Sequence, residues 1–136
     1  MERELRRRAA GEYRRGVTGA TSWRSAELAA ADYLFASGFE VLGRNVRLGP
    51  LELDIVARAG KLVVVAEVRT RGPGAFERPF ESISWRKRRS LRRAIGRLWE
   101  SQLARLDDVD RVRLDAIAVH FQQGKTYVES AQGIAP

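Results

Sequence analysis

Two runs rich in β-branched residues, 53–57 and 62–68, flank Gly60-Lys61, and that arrangement leaves the middle of the chain few options. Glycine at the first central position suits a two-residue type II′ turn, so residues 51–71 read as an antiparallel hairpin. Counting outward from the turn sets Ala59 opposite Leu62, Ala57 opposite Val64, Asp54 opposite Glu67 and Glu52 opposite Arg69. Opposed residues have Cβ atoms about 4.5–5.5 Å apart, and like charges placed there are destabilising. Asp54 against Glu67 therefore needs a reason. The period of two puts Glu67 and Arg69 on one face of the second strand, with Ala66 and Val68 on the other.

Two carboxylates beside a permanent cation suit a hard divalent ion such as Mg²⁺, which takes carboxylate oxygens and keeps waters for a substrate phosphate. Such an ion would turn the repulsion into an attraction. A plainer reading stands beside this one: strand ends often carry charges, Asp54 can pair with Arg58 or Arg69, and Glu67 can sit on a solvated face. The run 62–66 weighs against it. Five consecutive apolar residues predict a strand covered on both faces, where a charge at Glu67 needs partners.

At 136 residues, 44% of them hydrophobic, the chain is expected to form a single domain around one core. The absence of cysteine excludes disulfides, thiolate metal sites and cysteine nucleophiles, so any metal must use oxygen ligands or the one histidine. It also suits a reducing cytoplasm. A net charge of +8 and a pI near 10.9 predict a polyanionic partner, nucleic acid ahead of an anionic membrane surface. No apolar run approaches the roughly 18 residues of a spanning helix, and the first residues lack the apolar stretch of a secretory signal. The expectation is a cytoplasmic protein with no membrane contact.

Residues 1–21 are arginine-heavy and read as a flexible basic arm ahead of a single domain at 22–136. Ser22 or Ser25 can cap a helix that runs to about Ser37 and stops at Gly38, with Leu28, Ala31, Leu34 and Phe35 as its buried stripe. Glu27 lies at the edge of that stripe, placed either to look into the sheet or to serve as a first-turn acid favoured by the helix dipole. Residues 39–48 read as an edge strand entering Gly49-Pro50. Residues 71–78 form a loop directly after the acids, where a substrate-contacting segment would lie.

Ser82 or Ser84 opens the longest helix, to about Leu106, with Leu91, Ile95, Leu98, Gln102 and Leu106 on the core period and Trp99 beside them. Arg86, Arg89, Arg93 and Arg97 make a second stripe, widened by Lys87, Arg88 and Arg92. No acid interrupts it from Ser82 to Leu98, which favours a phosphate-tracking surface over an ordinary solvated face of mixed sign. An alternating strand follows at 113–121, in which His120 is read as structural. Gln123-Gly124-Lys125 then turns the chain into a short last strand at 126–128.

The order helix, strand, acidic hairpin, basic helix, strand resembles the restriction-endonuclease-like core, in which a PD-(D/E)-x-K motif binds a metal. More specific are Ala26-Glu27-Leu28-Ala29 with Tyr33-Leu34, Gly38-Phe39 with Arg44-Asn45-Val46-Arg47, and Glu52-Leu53-Asp54-Ile55-Val56-Ala57. Val65-Ala66-Glu67-Val68-Arg69-Thr70-Arg71, Glu81-Ser82-Ile83 with Lys87 and Leu91, and Arg113-Leu114-Asp115 complete the set. Together they resemble the bacterial YraN family, endonuclease-like proteins similar to the archaeal Holliday-junction resolvases, from about Ser25 to the C-terminus. The resemblance implies an α/β fold of order α-β-β-β-α-β, a mixed central sheet flanked by helices. It also implies Mg²⁺- or Mn²⁺-dependent hydrolysis of branched or structured DNA.

In that reading Glu27, Asp54 and Glu67, with the main chain of Val68, form the metal site, and Arg69 occupies the position of the motif lysine as a further catalytic group. Arg71, Arg86, Lys87, Arg89, Arg93 and Arg97 would hold nucleic acid, and cutting two strands would call for a homodimer. Two positions depart from the pattern: Arg69 itself, and Leu51 where the family usually has glycine. Arginine can grip a phosphate, but a guanidinium does not give up its proton and so cannot act as the base a lysine can be. The alternative is a catalytically inactive nucleic-acid-binding module of the same fold.

Overall fold

Gly60 adopts φ +61° and Lys61 has no positive φ, the combination a type II′ turn requires, and the register around it follows. Ala59 lies opposite Leu62, Ala57 opposite Val64 and Ile55 opposite Ala66. The computed structural model describes residues 10–13, 23–71 and 83–134. In chain order the elements are β1 (Ala10–Tyr13), α1 (Trp23–Ala36), β2 (Glu40–Leu48), β3 (Leu51–Ala59), β4 (Leu62–Arg71), α2 (Trp85–Ser101), β5 (Arg111–Gln122) and β6 (Lys125–Ala131). From α1 to β5 this is the expected α-β-β-β-α-β order. Within the segment read as an arm, the backbone of Ala10–Tyr13 pairs with β6. The rest of that segment, and the predicted loop beyond Arg71, lie outside the described residues.

The strands form one mixed sheet in the order β1-β6-β5-β4-β3-β2. Neighbours are antiparallel except β4 and β5, which run parallel and are joined by the segment that contains α2. A parallel pair needs such a crossover, and it puts a helix on a sheet face. One face of the sheet packs under α1 through Ile55, Ala57, Val64, Ala66, Ile117 and Val119. The other packs under α2 through Leu53, Val56, Val63, Val65, Leu114 and Ala116. Residues 62–66 are therefore covered on both sides, as their unbroken apolar run predicts.

α1 ends in a Schellman motif. Phe39 N–H donates to Leu34 O at 2.9 Å and Gly38 N–H to Phe35 O at 3.0 Å, with Gly38 at φ +93°. Its buried face, however, is rotated from the predicted one. Ala26, Ala29, Ala30 and Leu34 are buried, Leu28 and Ala31 are half-buried, and Phe35 is 75% exposed. Small residues at i, i+3 and i+4 let the helix lie close on the sheet, a preference that a count of large apolar side chains misses.

α2 is capped by Ser84, whose side chain accepts the Lys87 N–H at 3.1 Å. It ends at Ser101, short of the predicted Leu106. Gln102 and Leu106 are exposed, and Leu103, carried by a 3₁₀ turn at Leu103–Arg105, enters the core in their place. Tightening the last turn swings the chain round, so the helical period no longer selects the buried residue.

Candidate functional site

Strand β3 changes phase at Asp54. Residues two apart in a regular strand share a face, yet Ile55 packs under α1 and Leu53 under α2. On the partner strand Asn45, which lies between the pairs Arg44↔Ile55 and Val46↔Leu53, has φ +51°, while the register shift of the β2–β3 pairing lies further along, between Val41 and Gly43. Asparagine is among the few residues that take this left-handed conformation at low cost.

On the other side, the β3–β4 ladder stops at Ile55↔Ala66. The counted pairs Asp54–Glu67 and Glu52–Arg69 are therefore not ladder partners, which corrects the reading by simple register. Asp54 instead turns its carboxylate toward β4, where Oδ2 accepts the Val68 N–H at 2.8 Å.

Glu67 is 5% exposed and lies on the same face of β4 as Val63 and Val65, toward α2. Its Oε1 is 3.8 Å from Lys87 Nζ and 3.8 Å from Arg69 Nη2, while its buried Oε2 has no hydrogen-bond partner among the described residues. Burial, and then the Asp54 charge, push its pKa up to about 7 against the opposing pull of Lys87 and Arg69. Glu27 is also buried, on the flank of the alanine face of α1. Its pKa is raised by burial and next by Asp54, partly offset by a hydrogen bond from Asn45. In the orientation its neighbours require, the Asn45 amide nitrogen bridges Glu27 Oε1 at 3.2 Å and Glu52 Oε1 at 3.1 Å.

These groups line one cleft of about 330 Å³ that holds Glu27, Asn45, Glu52, Asp54, Glu67, Thr70 and Lys87. The model of the family described as "Uncharacterised protein family UPF0102" matches residues 26–119, which include all seven. The chain belongs to the UPF0102 family. It is 46% identical over 105 residues to a UPF0102 protein of Sorangium cellulosum, covering 76% of this chain and 73% of that one. It is 40% identical over 123 residues to a UPF0102 protein of Streptomyces coelicolor, covering 89% and 90%. The UPF0102 match leaves out β1 and β6, at the far edge of the sheet from the hairpin.

Among the described residues, no three His, Cys, Asp or Glu side chains are gathered closely enough to form a metal-binding group. Glu27 thus lines the cleft without joining Asp54 and Glu67 in a three-carboxylate cage. The donors that remain are hard oxygens: the Asp54 and Glu67 carboxylates, one with an orphaned buried oxygen, and the main chain at Val68. An orphaned buried carboxylate oxygen beside a second carboxylate fits a divalent cation, which would neutralise the pair and accept the unshared lone pair.

The predicted basic residues divide. Arg86, Arg89 and Arg93 are exposed on α2, and Arg89 stacks over the Trp85 ring at 4.6 Å. Arg97 donates from Nη1 to Leu48 O at 3.1 Å, tying α2 to the turn between β2 and β3. Arg71 ends β4, and its side chain lies outside the described residues. Lys87, exposed on the same helix, also lines the cleft, with Nζ 3.8 Å from Glu67 Oε1. His120 does not line the cleft; its Nε2 is 3.6 Å from Glu129 Oε2 on β6. No helix among the described residues is long and apolar enough to cross a membrane.

Sequence reasoning did not find Asn45, the place of Glu52 beside it, or the position of Lys87. An asparagine inside a strand was a signal for the first. Lys87 carried none, because its reach depends on how the crossover seats α2 against β4.

Proposed function

We propose that this UPF0102 protein is a Mg²⁺- or Mn²⁺-dependent endonuclease that hydrolyses phosphodiester bonds in branched or structured DNA inside the cytoplasm. The observation that carries the reading is the buried, unpartnered Glu67 Oε2 beside Asp54, in a cleft that also receives Lys87. Asp54, Glu67 and the carbonyl of Val68 would hold the ion, whose Lewis acidity would offset charge developing on the scissile phosphate. Arg69, with its guanidinium 3.8 Å from Glu67, is placed to grip a phosphate oxygen.

Lys87 supports the reading further. An ammonium can give up its proton whereas a guanidinium cannot, so Lys87 takes the proton-handling role that Arg69 is unable to fill. Glu27, held through Asn45, orients water on the opposite wall. Arg86, Arg89 and Arg93 hold the DNA backbone without reading its sequence. A homodimer would present two such clefts to a branched substrate.

The second reading is a binding module that has lost cleavage, favoured by arginine at position 69 and by the lack of a three-carboxylate cage among the described residues. Cleavage of labelled four-way, flap, duplex and single-stranded DNA with Mn²⁺, Mg²⁺ or EDTA separates the two. The endonuclease reading expects metal-dependent cutting that is abolished by Glu67→Ala and lowered about 100-fold or more by Lys87→Met. Cutting by Arg69→Lys but not by wild type would mark a lapsed enzyme. Silence from both, with salt-sensitive DNA binding intact, would establish the module.

A further inference from the structure

α2 carries two tryptophans and treats them differently. Trp99 is half-buried against the α2-side core, whereas Trp85, in the first turn, is 63% exposed. Packing does not account for so large an apolar group left in water. Arg89, one turn on, lies over its ring at 4.6 Å. With a guanidinium over its ring, the residue still leaves most of its surface exposed.

The surroundings fit a polyanion. Arg86, Arg89, Arg92 and Arg93 are exposed on this helix, whose first acid is Glu100. The helix is capped at Ser84 and begins at Trp85, so its positive end adds to the attraction for phosphate. Lys87, two residues after Trp85, reaches into the acidic cleft. Two residues in a helix project to nearly opposite sides, so cleft and indole flank the tip of α2 across on the order of 10 Å.

We propose that Trp85, backed by Arg89, is a stacking platform for an unpaired base, and that the site therefore takes nucleic acid with unpaired bases beside the phosphate held in the cleft. This rests on the reading of the cleft as a nuclease site. In a continuous duplex every base face is covered by its neighbours, and a flat ring on a protein surface meets only phosphates and groove edges. A flap, gap, branch or free strand offers the bare face that an indole can cover. Such stacking is sequence-tolerant and changes affinity roughly 5- to 140-fold per base.

The test measures binding of the full chain, in EDTA, to a labelled oligothymidine strand and to a blunt duplex of the same length. Trp85→Ala should weaken oligothymidine binding about tenfold and leave the duplex within about twofold. Trp85→Phe should recover most of the loss. Trp85→Leu keeps apolar bulk and helix propensity without a ring, and should bind as weakly as the alanine variant. Equal losses on both nucleic acids, or none on either, would overturn the platform.

EDTA keeps this outcome separate from the nuclease reading. A Trp85-dependent preference for unpaired bases, with no metal-dependent cutting of any substrate, would sink the nuclease and keep the platform. Flap cutting by Trp85→Ala at the wild-type rate, with unchanged binding, would do the reverse.

Discussion

The Asp54 carboxylate stands 2.8 Å from the Val68 amide and takes a strand hydrogen bond at a level where β3 and β4 no longer pair. One side chain thus completes the edge of a ladder and brings a negative charge beside Glu67. The two roles separate by substitution. Asp54→Asn keeps an oxygen acceptor and drops the charge, so it should be as stable as wild type or more so. Asp54→Ala deprives a partly buried donor of its partner, at about 1–3 kcal/mol relative to Asp54→Asn. Urea midpoints measure the difference, and equal midpoints would mean that Val68 finds another acceptor.

Glu67 titrates at about 7 in the fold, against an ordinary 4.5. The folded chain thus holds this proton more tightly than the unfolded chain, so ionisation works against folding. The cost is absent below the unfolded value, grows between about 4.5 and 7, and is complete above that range. Glu67→Gln removes it. In metal-free buffer the variant should exceed wild type by a few kcal/mol at about pH 8 and match it near pH 4. Adding Mn²⁺ at the higher pH should stabilise wild type alone and narrow the gap.

Asp115 is 3% exposed and receives Arg113 through Nε at 2.8 Å and Nη2 at 2.9 Å, as well as the Gly133 N–H at 3.0 Å. It thereby fastens the segment after β6 to β5. Asp115→Ala strands a mostly buried guanidinium and an amide, and should cost about 3 kcal/mol or more in thermal or urea unfolding. Adding Arg113→Ala should cost less than the sum of the two single changes, because both remove one interaction.

Gly38 terminates α1 at φ +93°, and a Cβ built there would meet nothing within 4 Å. The penalty for Gly38→Ala is therefore conformational, not steric, at about 1–2 kcal/mol. Gly38→Asn should lose less, since asparagine tolerates the left-handed region. Equal losses in the two variants would point to a clash instead.

What could be read from the sequence was written locally. Gly60-Lys61 states its turn and hence the pairing from Ala59 to Ile55. Gly38 marks the end of α1, Ser84 the start of α2, and the run 62–66 marks a strand covered on both faces. The rest depended on shape. The face of α1 was misplaced because Phe35 outweighs alanine on any hydrophobic count, while close approach to the sheet favours Ala26, Ala29 and Ala30. The end of the acidic hairpin was misplaced because β3 changes phase at Asp54, beside the left-handed Asn45 of a different strand, and no count along β3 contains that. Lys87 enters the cleft only because β4 and β5 are parallel and α2 crosses between them, a fact of topology that no helical period contains.

The phase change at Asp54 also limits how a chain of this kind can age. In the nuclease reading, a lineage that abandons the chemistry is free to lose the charge at position 54 but not the oxygen, because Val68 still asks for an acceptor. Glu67, with one oxygen unclaimed, is held by no such debt to the backbone. Decay would therefore begin at Glu67 and pass through asparagine at position 54, leaving a recognisable scar in descendants whose fold is intact and whose cleft has fallen silent.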